Sequence, residues 1–357
     1  KVMANKVLVG VSGGVDSSVS AAILKDKGYE VTGAFMKNWE DDDGTPYCSV
    51  KEDFFDAARV CDKLGIELIQ LNFAKEYKEK VFEYFLTNLE DGKTPNPDIF
   101  CNKFIKFEAF YDYAIKNNFD QIATGHYCQI EERETLNLLK KSLDQSKDQT
   151  YFLNNINKEV LNNCLFPIGD MEKNQVREIA KDKGLITHDK KDSTGICFIG
   201  ERPFPEFLSN YLPIKKGDIF DENQNLIGEH NGVYFYTLGQ RQGLGIGGVK
   251  GSLEQPWYVV AKDNQNNSLT VVQDNNHPLL FKSELTVKSI NWLVENIPSL
   301  KNITSKIRYR QNEQICSLEE TSDGWKVLFE KPQRAITPGQ SVVFYSGDVC
   351  LGGGEIE

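Results

Sequence analysis

The chain has 357 residues, 40% of them hydrophobic, with 21 Phe and 14 Tyr; this is the composition of a packed protein of two or three domains and excludes a disordered one. A net charge of -11 counts against a nucleic-acid partner unless lysines and arginines gather on one local face, because phosphate binding is largely electrostatic. No apolar run approaches the roughly 18 residues of a membrane span and the chain opens on a strand pattern instead of a signal peptide, so a cytoplasmic protein, or one of an organelle matrix if a transit peptide has been removed, with no membrane partner is expected.

A buried strand is expected at 6–11, turning through Ser12-Gly13-Gly14-Val15-Asp16-Ser17 into a helix near 17–27. Gly13 and Gly14 open backbone conformations closed to other residues, and the helix start behind them offers unpaired N–H groups and a positive dipole end to phosphate. A Walker loop would carry a Lys before its Ser, and this turn has none; S-G-G-x-D-S instead resembles the pyrophosphate loop of the ATP pyrophosphatases. Further strands are expected at 30–36, 66–71 and 120–124, with helices near 51–64, 75–90 and 98–117. That alternation predicts an α/β fold with a Rossmann-like, doubly wound parallel sheet, whose ligands lie at the carboxyl ends of the strands. Met36 and Gly125 follow two of those strands and are placed to flank an adenosine.

Within the helix near 98–117, Asn96 reads as the cap and Pro97 as the first helical residue, so Asp98 and Cys101, three apart, share a face. First-turn amides favour a thiolate while the Asp98 charge opposes it, a conflict relieved if Asp98 accepts a proton. Read alone, the segment is also an acidic helix start with an incidental Cys. Cys197 lies between Gly195 and Gly200 in a loop beginning Lys190-Lys191-Asp192, whose lysines favour thiolate; one thiol could carry sulfur as a persulfide and the other resolve the resulting disulfide. The other cysteines form no C-x-x-C pair, and Cys61 and Cys128 read as core fillers.

From Pro203 the chain becomes rich in Pro, Gly and short β runs, including Val233-Tyr234-Phe235-Tyr236. Gly243, Gly245 and Gly248 formally satisfy G-x-G-x-x-G, but Lys250-Gly251-Ser252 stands where a dinucleotide fold needs a helix, so this is a Gly-rich basic loop. Runs at Leu285–Val287, Lys306–Arg310, Lys326–Phe329 and Ser341–Tyr345 suggest a small β-barrel. The expected division is a catalytic domain at 1–205, a β-rich central domain at 206–276 and a C-terminal β-barrel at 277–357. A basic face could be assembled from Lys140, Lys141, Lys147, Lys190, Lys191, Lys215, Lys216, Arg241, Arg308 and Arg310.

Taken together, S-G-G-V-D-S at 12–17, T-P-N-P-D-x-x-C-N at 94–102, A-T-G-H-Y at 123–127, K-D-Q at 147–149, D-S-T-G-I-C-F-I-G at 192–200, T-L-G-Q-R-x-G-L-G-I-G-G at 237–248, R-Y-R-Q at 308–311 and T-P-G-Q at 337–340 closely resemble the tRNA-specific 2-thiouridylases over nearly the whole chain. The resemblance implies that Gly10, Val11, Ser12, Gly13, Gly14, Val15, Asp16, Ser17, Met36 and Gly125 bind ATP, with Mg2+ neutralising the departing pyrophosphate. Cys197 would carry the persulfide, Cys101 would be the second catalytic thiol, and Asp98 the acid/base group. Asn96, Pro97 and Asp98 would touch the flipped target base. His126, Lys147, Asp148, Gln149, Arg308, Tyr309 and Gln340 would contact tRNA, although a His after a buried strand is as often structural. The implied partners are tRNAs for Lys, Glu and Gln and a sulfur donor, either a relay protein or a cysteine desulfurase.

Competing readings are an ATP pyrophosphatase acting on a small molecule, which leaves both thiols idle, and a noncatalytic tRNA-binding protein that senses ATP. An iron-sulfur cluster on Asp98, Cys101 and Cys197 ranks below these, since no four-thiolate arrangement is evident. No metal-binding residues are assigned.

Overall fold

The computed structural model describes residues 5–40, 50–193, 196, 203–247, 249, 251 and 255–357. The first strand, β1 (Lys6–Gly10), is flanked on both sides and buried on both faces, which is why it reads as a continuous apolar run. Val7 and Val9 face one hydrophobic cluster and Leu8 the opposite one. In chain order follow α1 (Val15–Asp26), β2 (Glu30–Lys37), α2 (Val50–Leu64) and β3 (Glu67–Asn72). Helix α3 runs from Ala74–Tyr77 through a π-turn at Lys78–Phe82 to Glu83–Glu90. Helix α4 runs from Pro97–Phe100 through a long π-segment, Cys101–Ala109, to Phe110–Lys116.

Strand β4 (Gln121–Ala123) pairs with β1, and a hairpin, β5 (Cys128–Glu131) and β6 (Leu138–Lys141), leaves the domain before β7 (Cys164–Leu165) returns to it. The resulting all-parallel sheet has the order β3-β2-β1-β4-β7, so the chain reverses direction across the sheet between β1 and β4. Loops after those two strands form the crevice where such sheets bind ligands. Helix α5 (Lys173–Asp182) packs on α1 and carries a capping box between Glu172 and Gln175. Among the described residues no helix is long and apolar enough to cross a membrane.

After α6 (Phe204–Leu208), a four-stranded sheet forms from β8 (Gly217–Phe220), β9 (Leu226–His230), β10 (Trp257–Asp263) and β11 (Ser268–Gln273). The run Val233–Tyr236 is not a strand there: Val233–Phe235 is a 3-10 turn. Residues 241–247 are turn and irregular, and Gly248, Lys250 and Ser252 lie outside the described residues.

The C-terminal sheet is built from β12 (Phe281–Val287), β13 (Asn291–Trp292), β14 (Ile303–Lys306), β15 (Gln314–Thr321), β16 (Gly324–Arg334), β17 (Ser341–Ser346) and β18 (Val349–Glu355). Here Lys306–Arg310 departs from expectation. Strand β14 stops at Lys306, and 307–310 form a turn in which the Gln311 side chain accepts from Ile307 N at 2.8 Å. The β5–β6 hairpin completes this sheet through β6 and β18, with Lys141 N donating to Asp348 O at 2.8 Å. A segment inside the first domain's sequence thereby becomes an edge of the last domain.

Candidate functional site

The crevice begins where β1 ends. Gly13 has φ +83, and a Cβ built on it would lie 2.4 Å from Asp53 O, so only glycine fits. Gly14 caps α1 without any side-chain hydrogen bond, and the amides of Gly13, Gly14, Val15, Asp16 and Ser17 have no acceptor among the described residues. Five adjacent N–H groups at a helix start fit a polyphosphate well. Two expected loop contributors turn inward: Val11 N donates to Ala34 O at 2.8 Å, and Ser12 N to Ser17 Oγ at 3.1 Å. The side chains of Val11 and Val15 are buried in the clusters beneath the loop. Gly10 and Met36 are neighbours, a Gly10 Cβ falling 3.1 Å from the Met36 methyl. Gly125 owes its identity to α1, because a Cβ there would sit 2.7 Å from Ser17 N.

Charged groups bracket the loop on two sides. The Asp16 carboxylate accepts from Tyr127 Oη and Lys173 Nζ, each at 2.7 Å. Lys173 also pairs with Asp192 at 2.7 Å, and Lys147 (2.9 Å) and Arg177 (3.4 Å) reach the same carboxylate. Burial pushes the Asp192 carboxyl up, but Lys173 and Lys147 outweigh it and hold the group below its ordinary range. Opposite, Lys190 Nζ donates to Gly13 O (3.0 Å), Asp53 (2.8 Å) and Asp56 (2.6 Å). Lys190 therefore grips the loop and its acidic neighbours.

A second group of residues surrounds Cys101. Asn96 caps α4 as expected, its Oδ1 accepting from Asp98 N at 3.0 Å with Pro97 at the first helical position. Cys101, buried at 3% exposure, opens the π-segment, a helical form concentrated at functional sites. Burial raises the Asp98 pKa against the opposing charge of Lys106, so this carboxyl holds a proton more readily than an exposed one. His126, in the loop after β4, packs against the same helix, its ring 5.7 Å from that of Phe107, and its Nδ1 is 2.7 Å from Thr124 Oγ1. Burial, aided by Lys106, holds the His126 pKa well below 6.5, so the imidazole is neutral. Cys197 lies outside the described residues.

Three family models cover most of the chain: tRNA methyl transferase HUP domain at 5–201, tRNA methyl transferase PRC-barrel domain at 205–273 and Aminomethyltransferase beta-barrel domain at 282–356. The tRNA-specific 2-thiouridylase MnmA of Stutzerimonas stutzeri (strain A1501) is 56% identical over 354 residues, 99% of this chain and 94% of that one. Its namesake from Francisella philomiragia subsp. philomiragia is 56% identical over 355 residues, 99% of each. The chain belongs to the tRNA-specific 2-thiouridylase family. Among solved structures, the U34-tRNA thiolase NcsA of Methanococcus maripaludis overlaps 55% of this chain at 22% identity and a TM-score of 0.36, too loosely to bear on function.

Within this 2-thiouridylase, several residues expected to touch tRNA are occupied internally. Asp148 is buried, accepting from Ser142 N at 3.0 Å and Thr150 Oγ1 at 2.6 Å. The Gln149 side chain accepts from Tyr127 N at 2.8 Å, and Lys147 is paired with Asp192. Arg308 donates to Arg334 O, and the Tyr309 ring packs 4.4 Å from that of Phe152. Gln340 donates to Thr94 O at 2.6 Å while Thr94 N donates to Pro338 O at 2.8 Å, so T-P-G-Q braces the loop leading to Asn96. The expected basic face is likewise reduced. Lys141 is buried against Glu313, Lys140 pairs with Glu131 and the exposed Lys216 with Glu229, which leaves Lys191, Lys215, Arg241 and Arg310 exposed with no ion pair among the described residues. Cys61 and Cys128 are buried, and burial raises the Cys61 thiol to about 11, as suits core fillers.

Sequence reasoning missed Lys173, Tyr127, Asp53 and Asp56. Of these only Tyr127 stands in a quoted motif, and nothing near Lys173 beyond a capping pattern distinguishes it.

Proposed function

We propose that the chain catalyses ATP-dependent 2-thiolation of the wobble uridine in tRNAs for Lys, Glu and Gln. ATP is consumed as a substrate, with its phosphates against the Gly13–Ser17 amides. The uridine C2 oxygen attacks the α-phosphate and pyrophosphate leaves. The terminal sulfur of a Cys197 persulfide then bonds to C2 as AMP departs. Cys101 next forms a disulfide with Cys197 as the bond to the delivered sulfur breaks, and an external thiol reductant restores both residues. Asp98, its carboxyl inclined to hold a proton, serves as the acid/base group. Asn96 and Pro97 fix the start of α4, placing Asp98 and Cys101 on one turn toward the target base. The observation that carries this reading is the uncapped Gly13-Gly14 helix start in a chain matched over 99% of its length by named 2-thiouridylases.

Among the described residues, which do not include Cys197, no group of three or more His, Cys, Asp or Glu could hold a metal ion. The sulfur reaches Cys197 from a persulfide-carrying donor protein in the cytoplasm. His126, Lys147, Asp148, Gln149, Arg308, Tyr309 and Gln340 act in this reading mainly by shaping the surface that tRNA meets.

Incubation with ATP, unmodified tRNA and a persulfide donor, followed by mass spectrometry of the nucleosides and chromatography of the nucleotides, tests the proposal. It expects 2-thiouridine with AMP and pyrophosphate; a stoichiometric yield of ADP overturns it. The matched models are described as methyl transferases, and a methylated nucleoside formed without ATP cleavage would select that chemistry instead.

A further inference from the structure

Lys173 is the first residue of α5, with a side chain only 10% exposed. Its ammonium has three protons. One meets Asp16 of the phosphate loop, another meets Asp192, both at 2.7 Å, and the group lies 5.5 Å from the centre of the Tyr127 ring, whose hydroxyl donates to the same Asp16 oxygen. The backbone is equally fixed, since Lys173 N donates to Asp144 Oδ2 at 3.1 Å and the Glu172–Gln175 capping box holds the turn. Asp192 stands five residues before Cys197 in the sequence.

Stability alone is a weak reason for this arrangement, because a buried ion-pair network rarely outperforms apolar residues of the same volume. Position is a better one. Lys173 bridges two carboxylates that would otherwise repel, one on the loop that receives phosphates and one on the polypeptide leading to the persulfide-bearing residue. Lys147 and Arg177 keep a hold on Asp192 when Lys173 is removed, whereas Asp16 loses its one ion pair among the described residues. Removal would therefore break the link between Asp16 and Asp192, leave the separate contact of Lys190 with Gly13 O in place, and release neither segment from the fold.

We propose that Lys173 is a positioning residue that ties the phosphate loop, through Asp16 and Asp192, to the segment leading to Cys197, so that an activated uridine is met by sulfur before it is lost to water. This inference rests on the thiolation reading above. Its signature is the number of 2-thiouridines formed per AMP, a ratio that a loss of folded protein leaves unchanged because both products fall together.

The test measures AMP and 2-thiouridine in the same reactions for wild type, Lys173→Met, Lys173→Arg and Asp192→Asn. Wild type should give a ratio near one. Lys173→Met should lower it by about tenfold, less than the roughly hundredfold that a 1 Å misplacement of reacting groups can cost, because Lys190 still holds the segment to the loop, and Asp192→Asn should lower it in the same sense. Lys173→Arg, which keeps the charge, should recover most of it. An unchanged ratio in Lys173→Met and Asp192→Asn overturns the proposal, and if Lys173→Met fails to fold, the partly exposed Asp192 decides. Should wild type form no 2-thiouridine, the activity reading is what has failed. The tether is then read from hydrogen exchange alone: ATP should protect residues 192–193 more in wild type than in Lys173→Met, the Lys190 contact with Gly13 O remaining in both, and equal protection in both overturns the tether as well.

Discussion

The phosphate-loop side and the Cys101 side of the crevice use burial in opposite ways. Around the loop, Asp16, Asp53, Asp56 and Asp192 face Lys147, Lys173, Arg177 and Lys190, and nearly every charge has a partner within 3 Å. Desolvation of Asp192 is outweighed there by its cations, and that of Lys190 by Asp53 and Asp56, so both groups keep their charge. Around Cys101 burial goes mostly unopposed. Asp98 is driven toward its neutral acid and His126 toward its neutral base, with the single charge of Lys106 felt by both. In the proposed reaction one side would meet polyphosphate and the other would move protons in a dry environment, the division that an adenylation followed by a sulfur transfer calls for.

The largest effect expected from breaking this division is at the thiol. Cys101→Ser should abolish 2-thiouridine formation while leaving ATP and tRNA affinities nearly unchanged, as read by nucleoside mass spectrometry beside binding titrations. A variant that still thiolates removes Cys101 from the sulfur path. On the opposite side, Gly125→Ala should displace the start of α1, destabilise the fold by about 1–3 kcal/mol as overpacking does, and reduce ATP turnover. Denaturant midpoints and AMP yields check this, and a variant of unaltered stability would show that the Ser17 backbone yields easily.

Smaller effects sharpen the electrostatic contrast. The folded chain withholds from His126 a proton that the unfolded chain takes up below about 6.5, so this contribution is present above that pH and is lost as pH falls below it. Asp98 has the reverse sign. Its folded pKa lies above 3.8, so its contribution is complete below that value and is lost as pH rises through the folded pKa. His126→Gln should therefore flatten the acid limb of a stability profile. Asp98→Asn should flatten the fall above pH 3.8, though only in part, because burial also raises the Asp148 carboxyl. Urea midpoints measured across the acid range decide both. The smallest effect concerns salt: Arg310→Ala should lower the salt slope of tRNA binding by about 0.9 if it meets one phosphate, whereas Lys141→Met, already buried against Glu313, should leave the slope unchanged.

The strands and helices of the first 125 residues were legible because their signals are local. Hydrophobic period, a Pro97 at a helix start and a glycine pair after a buried strand act over a few residues. Lys306–Arg310 misled because its alternation continues past the point where the Gln311 side chain captures Ile307 N and turns the chain. The short β7 was invisible, being strand only by virtue of its pairing with β4. Asp148, Gln340 and Lys141 looked like surface groups, and only packing shows that their partners lie inside the protein.

By itself the sequence determined the parallel-sheet domain, the phosphate loop and the order of the three β-rich and α/β regions, since each follows from patterning and turn chemistry within short windows. Tertiary structure alone decided how charge is distributed around the site. The contact between Lys173 and Asp16 spans 157 residues and that between Lys190 and Asp53 spans 137. Ion pairing depends on distance and burial in space, and neither is written in the spacing of residues along the chain.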